Sequence, residues 1–307
     1  MRGGKWALGL VILLVGRGIL PQSREMEELK LVNTLAVDGG EKIVVTGVTG
    51  VRAGENEEPE VLTGEGESLA GACKALRESS ARRAYLGQTE QLLVGDEGEL
   101  METLGFVVEH RELRMDTLLY IVKGSAGDGL AASAQRVAGE TGGQDARGRT
   151  VGEILPRLAQ GEYALAPALA AGEEGLEPAG WAALGPEGVV GYYEGDAELG
   201  AGLLAGSGQE QVVELAGGVA ELMKVKTWAK GGTVFCTLTA RVVQGRPGEE
   251  ELAAWGEGVL RAALGPGWDC WGLDREQGAM EPWNWDDWKG EPVAKMDVKV
   301  TGRLVGS

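Results

Sequence analysis

Histidine is nearly missing from this chain: 307 residues carry one, His110. A Ser-His-Asp triad would have to be built on it. The nearest approach to a nucleophile elbow, Lys123-Gly124-Ser125-Ala126-Gly127, lacks the first glycine of that motif. Acyl-transfer chemistry is therefore not expected. Cysteine is almost as scarce. Cys73, Cys236 and Cys270 are odd in number and far apart, with no zinc-ligand spacing and no disulfide framework, so they read as small buried hydrophobes. Clustered cations are lacking too. Against 29 Lys and Arg stand 47 Asp and Glu, a net charge of −18. No nucleic-acid groove can be built from that balance. An acidic body gains nothing electrostatically at an anionic membrane surface, so a tether or a protein partner is expected to hold it at any membrane.

Other absences narrow the field further. The 52 glycines follow no strict period and no internal repeat is found, which excludes collagen and low-complexity readings. The run Gly200-Ala201-Gly202-Leu203-Leu204-Ala205-Gly206 misses a dinucleotide fingerprint by one residue, and Asp286-Asp287 lacks the ligand spacing of a calcium loop. Among so many carboxylates chance pairs are inevitable, and nothing selects two of them for acid–base work. No cofactor and no metal is expected. Aromatic residues other than Trp are few, yet six tryptophans fall between Trp255 and Trp288. A core cluster under the last strand is the plainer account of them. Trp283, Trp285 and Trp288 lie in a stretch too polar to bury all three, and form a candidate partner-docking patch.

What is present starts with an export signal over residues 1–22. Arg2 and Lys5 supply the positive start and Trp6–Val15 the apolar run. Leu14-Val15-Gly16 would open a lipobox, but Arg17 stands where the lipidated Cys belongs. An uncut helix over residues 6–20 would be about 22 Å long, short of a hydrocarbon core of about 30 Å. The remainder is long enough for two or three cores. A Gly-rich polar stretch at 141–149 marks a possible subdivision. A 23–172 N-terminal α/β domain and a 173–307 C-terminal α+β domain are expected. The fold class is α+β: two or three small domains with mixed or antiparallel sheets packed by helices.

The most informative stretch is Ser79–Asp128. Glu90–Gly95 reads as a short buried strand, and Leu100, Leu104, Val107 and Val108 draw an apolar helix stripe. Thr117–Val122 reads as a second strand, giving a βαβ unit with a right-handed crossover. Elsewhere a hairpin is expected over 32–51, helices over 65–79, 127–140, 150–160, 194–206 and 249–264, and a hairpin over 181–193. Strands are expected over 212–215, 223–229 and 233–243, with a final strand through Val298, Val300 and Leu304.

The same stretch resembles the Ger(x)C family, the C subunits of spore germinant receptors in endospore-forming bacteria. Tyr85, Leu86, Gly87, Gly95, Asp96, Glu112, Leu113 and Arg114 fit the family pattern, while Gln88 and Glu109 depart from it. Near the end, Asp269, Cys270, Trp271 and Gly272 match the close of the family's last long helix. The resemblance spans about residues 14 to 306. It implies structural roles for Tyr85, Gly87, Gly95, Glu112, Arg114, Asp269 and Gly272. It also implies an exported, membrane-associated, non-enzymatic protein at the outer face of the inner spore membrane, working with an A subunit and a transporter-like B subunit. The competing expectation is a secreted wall- or carbohydrate-binding protein or hydrolase. Arg114, just past a helix C-terminus, is expected to meet that helix's free carbonyls.

Overall fold

Asp38, Gly95-Asp96 and Lys123-Gly124 end three neighbouring parallel strands, and the architecture is arranged around that convergence. The computed structural model describes residues 29–50, 59–80, 83–96, 98–110, 113–134, 148–172, 175–207, 211–273 and 293–305. The export segment, Glu112, most of the 141–149 stretch and Trp283, Trp285 and Trp288 lie outside these residues. Strands β1 (Leu29–Asp38) and β2 (Ile43–Thr49) form the expected hairpin. β3 (Val61–Gly66) extends it, followed by α1 (Leu69–Glu78) and the short β4 (Arg83–Tyr85). The βαβ unit is β5 (Gln91–Gly95), α2 (Leu100–His110) and β6 (Leu118–Lys123), with β5 and β6 parallel. Then come α3 (Ala126–Ala132), β7 (Arg149–Thr150), α4 (Val151–Ala159), β8 (Ala164–Gly172), β9 (Gly175–Gly185) and β10 (Gly188–Tyr193).

These strands make one ten-stranded sheet in the order β10-β9-β8-β6-β5-β1-β2-β3, with β4 beside β1 and β7 beside β6. Its centre, β8-β6-β5-β1, is parallel and covered on both faces, as parallel sheets must be. Leu35, Val37, Leu92, Val94, Leu119 and Ile121 face α1, α2 and α4. Their alternates Ala36, Leu93, Tyr120 and Val122 face α3. This period-two division of each strand explains why the central runs are apolar throughout.

The second sheet is four-stranded: β11 (Val212–Leu215), β12 (Gly218–Lys230), β13 (Thr233–Gly245) and β14 (Asp297–Val305). Helices α5 (Asp196–Leu204) and α6 (Glu249–Leu264) cover its inner face. That core also takes Leu165, Trp181, Ala183 and Tyr193 from the far end of the large sheet. β14 joins β13 in parallel rather than antiparallel, in unbroken register through Gly302. Val298, Val300 and Leu304 share its inner side, and a Cβ on Gly302 would lie 2.4 Å from the Glu249 carbonyl at the start of α6.

The fold departs from the sequence expectation at one boundary and two strands. The expected boundary between 172 and 173 falls inside the β8–β9 hairpin, because β8 and β9 pair antiparallel along their length within one sheet. The change of sheet comes after β10. β3 and β8 were not expected as strands. α1 lies directly on β3, where a Cβ on Gly64 would meet the Leu76 amide at 2.2 Å. β8 is Ala-rich, with Pro167 at the irregularity in its pairing with β9, where a missing N–H is tolerated.

Candidate functional site

The carboxyl ends of β1, β5 and β6 open into a cleft of about 550 Å³ beside α3. That is where ligands meet open α/β sheets. Its lining includes Asp38, Thr46, Thr63, Asp96, Ser125 and Asp128. Asp38, the last residue of β1, caps the start of α3. Its Oδ1 accepts from the Ala126 amide at 2.7 Å, and its Oδ2 from the Gly127 amide at 2.8 Å and the Ser125 hydroxyl at 3.1 Å. The Ser125 hydroxyl also accepts from the Asp128 amide at 3.2 Å. Ser125 is thus a helix cap held by Asp38.

Asp96 carries the second half of the junction. Its Oδ2 accepts from the Gly124 amide at 2.8 Å, and its Oδ1 accepts from the Tyr192 hydroxyl of β10. Burial, reinforced by Asp96, pushes the Tyr192 phenol well above its ordinary range. Lys123 lies 4.6 Å from the centre of the Tyr192 ring and bonds Glu194 at 2.5 Å, which lowers the Glu194 pKa. The ends of β1, β5, β6 and β10 and the start of α3 are therefore tied together by side chains. Gly95 makes this possible: a Cβ there would sit 2.2 Å from Asp38 Oδ1 and 2.9 Å from the Gly124 carbonyl.

Chemically, the Asp38 and Asp96 carboxylates and the Ser125 hydroxyl are already engaged by protein donors. His110 ends α2, which packs on the opposite face from α3 and runs away from the strands' carboxyl ends. It stacks on Phe106 with centroids 4.1 Å apart, so the structure does not bring it to Ser125. Among the described residues no group of three or more His, Cys, Asp or Glu is placed to hold a metal ion.

The other singled-out residues have separate local jobs. The Tyr85 ring lies over Gly87, where a Cβ would be 2.4 Å from the phenol oxygen. Arg114 is exposed and forks onto Asp116, with Nε 2.8 Å from Oδ1. Its expected partners at the end of α2 are replaced by this neighbour, because residues 114–117 form a tight turn before β6. Asp269 Oδ1 accepts from the Gly272 and Leu273 amides at 2.8 and 2.9 Å, and Gly272 has φ +74°. Arg157 of α4 donates to the Asp269 and Cys270 carbonyls at 3.1 and 2.7 Å, which clips this turn to the large sheet's helical layer. Trp268 and Trp271 pack against Tyr193 at 5.6 and 5.7 Å, and Trp255 borders the same core. Cys73, Cys236 and Cys270 are buried free thiols.

Sequence reading missed Asp38, Thr46 and Tyr192 as members of one constellation. The available signal was that three strands each end in an acid or a glycine; only their parallel alignment shows that those ends meet.

Residues 22–136 match the model of the spore germination protein N-terminal domain. That stretch therefore carries a spore germination protein N-terminal domain. A crystal structure described as that of the GerBC protein matches with a TM-score of 0.55 at 15% identity, over 88% of this chain and 96% of that one. At that identity the likeness speaks for the fold, which is α+β over both sheets. No curated protein sequence matches the chain. Asp38, Gly95, Asp96 and Ser125 lie within residues 22–136, so the cleft's principal residues belong to the matched region. No helix among the described residues is long and apolar enough to cross a membrane.

Proposed function

We propose that this chain is the C subunit of a spore germinant receptor, working by binding and conformational relay with a membrane A subunit and a transporter-like B subunit. The observation that carries the reading is the match of residues 22–136 to the spore germination domain. The strand-end junction suits a relay, since its bonds join separate strands and would register a shift in any of them. The reading places no covalent chemistry in the chain: Ser125 is engaged as a cap, and His110 lies at the other end of the sheet. It places the protein at the outer face of the inner spore membrane, retained through its partners, since Arg17 lacks the thiol that lipidation needs.

Deleting the gene tests the reading. Spores should form normally but fail to germinate on nutrient, and a tagged chain should co-purify the A subunit from spore membranes. Normal germination without co-purification would overturn it. For the anchor, labelled palmitate should mark an Arg17→Cys protein and not the native one; label on the native protein would refute retention by partners alone.

A further inference from the structure

The outer face of the four-stranded sheet is covered by no element among the described residues, because α5 and α6 both lie on its inner side. Alternation along β12, β13 and β14 decides what points outward. Lys224 pairs with Thr239, Lys226 with Thr237, Trp228 with Phe235 and Lys230 with Thr233. Across β13, Phe235 pairs with Lys299 and Thr239 with Arg303. All these positions alternate with the buried residues Ala229, Val234, Cys236, Leu238 and Val298, so they share the outer face. The result is a cationic ladder on a chain of net charge −18.

Lys224, Lys226, Lys230, Lys299 and Arg303 are exposed and have no ion pair among the described residues. Acid is sparse here: Glu221 is taken by Arg241 at 2.5 Å, and Asp297 and Glu214 sit at the margins. Trp228 and Phe235 stack at the centre, 5.5 Å apart and 9° from parallel. Lys226 and Lys299 each stand 5.9 Å from one of these rings. At the other end the face turns apolar. Val212, Met223, Val243 and Val305 are 59%, 51%, 57% and 41% exposed.

We propose that this face docks on an anionic phospholipid surface. Lysines beside half-buried aromatic rings and a fringe of exposed aliphatic residues are what the headgroup layer accepts: cations meet phosphate, rings lie at headgroup depth, and aliphatic tips reach the acyl boundary. Strands of 4, 13, 13 and 9 residues give roughly 600 Å² of face. The net negative charge does not forbid it. Salt screens over about 8–10 Å, so carboxylates beyond the helical layer contribute little at the contact. The acidic body gains nothing electrostatically at such a membrane, and on this proposal the cationic face is the part that meets it. The inference deepens the membrane-side placement proposed above and rests on it.

The test is sedimentation of the purified full chain with phosphatidylcholine vesicles, with and without phosphatidylglycerol, at low and at half-molar salt. The native chain should partition onto the phosphatidylglycerol vesicles alone and be released by salt. Lys226→Glu with Lys299→Glu should weaken partition by at least about a hundredfold, at roughly fivefold per unit of charge changed. Lys42→Glu with Lys74→Glu, with the same net charge but in the turn before β2 and on α1, should lose far less. Melting by circular dichroism checks that all variants fold, and Lys226→Gln with Lys299→Gln repeats the test without added repulsion. No binding, binding indifferent to the face, or equal loss in both charge-reversed proteins would overturn the proposal. So would a dimer in sedimentation velocity that the face variants dissociate, since a second copy would then be the occupant. Lost vesicle binding with intact nutrient germination would remove the docking face and leave the receptor role standing.

Discussion

Gly95 shows how one residue sets the geometry of the strand-end junction. With a Cβ 2.2 Å from Asp38 Oδ1, Gly95→Ala must push the carboxylate off the α3 amides or bend β5. A loss of about 1–3 kcal/mol is expected in chemical denaturation. Asp38→Ala should cost a similar amount, since the Ala126 and Gly127 amides would lose their acceptor. Gly105 is the contrasting case. It lies inside α2 with nothing within 4 Å of its missing Cβ, so Gly105→Ala should stabilise by about 0.5–1 kcal/mol. If Gly95→Ala and Gly105→Ala move stability in the same direction, the close-approach account of Gly95 fails. Arg114→Ala, by contrast, should leave the melting temperature almost unchanged, because its fork to Asp116 is fully exposed.

Between elements, Arg157 is the link to test. It sits on α4 of the large sheet, behind Pro156, which the helix accommodates next to a capping box of Thr150 and Glu153. Its guanidinium holds two carbonyls of the turn at Asp269–Gly272. A lysine lacks the planar fork needed to bond both. Arg157→Lys should therefore cost about 1–2 kcal/mol and raise hydrogen exchange around residues 267–273, while β5 and β6 keep their protection. Uniform acceleration through β5 and β6 would mean that the clip stabilises the molecule as a whole. The same scale explains the small sheet: the α6 backbone presses on Gly302 of β14, which fixes that strand on the covered side and leaves the Lys299–Arg303 side open.

For the whole molecule, the thiols and the sheet order make separate predictions. Burial pushes Cys73 up to about 11 and Cys236 and Cys270 up to about 12, from an ordinary 9.0. A raised folded-state pKa means that folding favours the protonated thiol. Its contribution is intact below about pH 9 and is lost as pH rises toward 11–12, about 1.4 kcal/mol per unit for each thiol. Stability measured from pH 9 to pH 10 should fall, and replacing all three cysteines by alanine should flatten that slope whatever it does to the absolute value. An unchanged slope would place the loss in other groups. A fragment of residues 23–172 should fail to melt cooperatively, because it ends on β8 with its β9 partner gone and its edge bare. A cooperative transition for that fragment would restore the boundary at 172/173.

The periodic elements were legible in the residues alone. α6, the β5–α2–β6 unit and the β9–β10 hairpin all have patterns that burial on one or two faces demands, and such patterns belong to the chain before it folds. So did the fate of the cysteines, too scattered for ligation or pairing. β3 and β8 were not legible. Gly64 is glycine because α1 lies on it, and the alanines of β8 are small because packing crowds both of its faces. Neither reason has a local signature. Asp38 and Asp96 are 58 residues apart and meet only through parallel pairing of β1 with β5. The charge of the whole chain was readable as a sum. Which face would carry the exceptional sign was decided by strand register, because alternation turns Lys226 and Lys299 to one side and α6 covers the other.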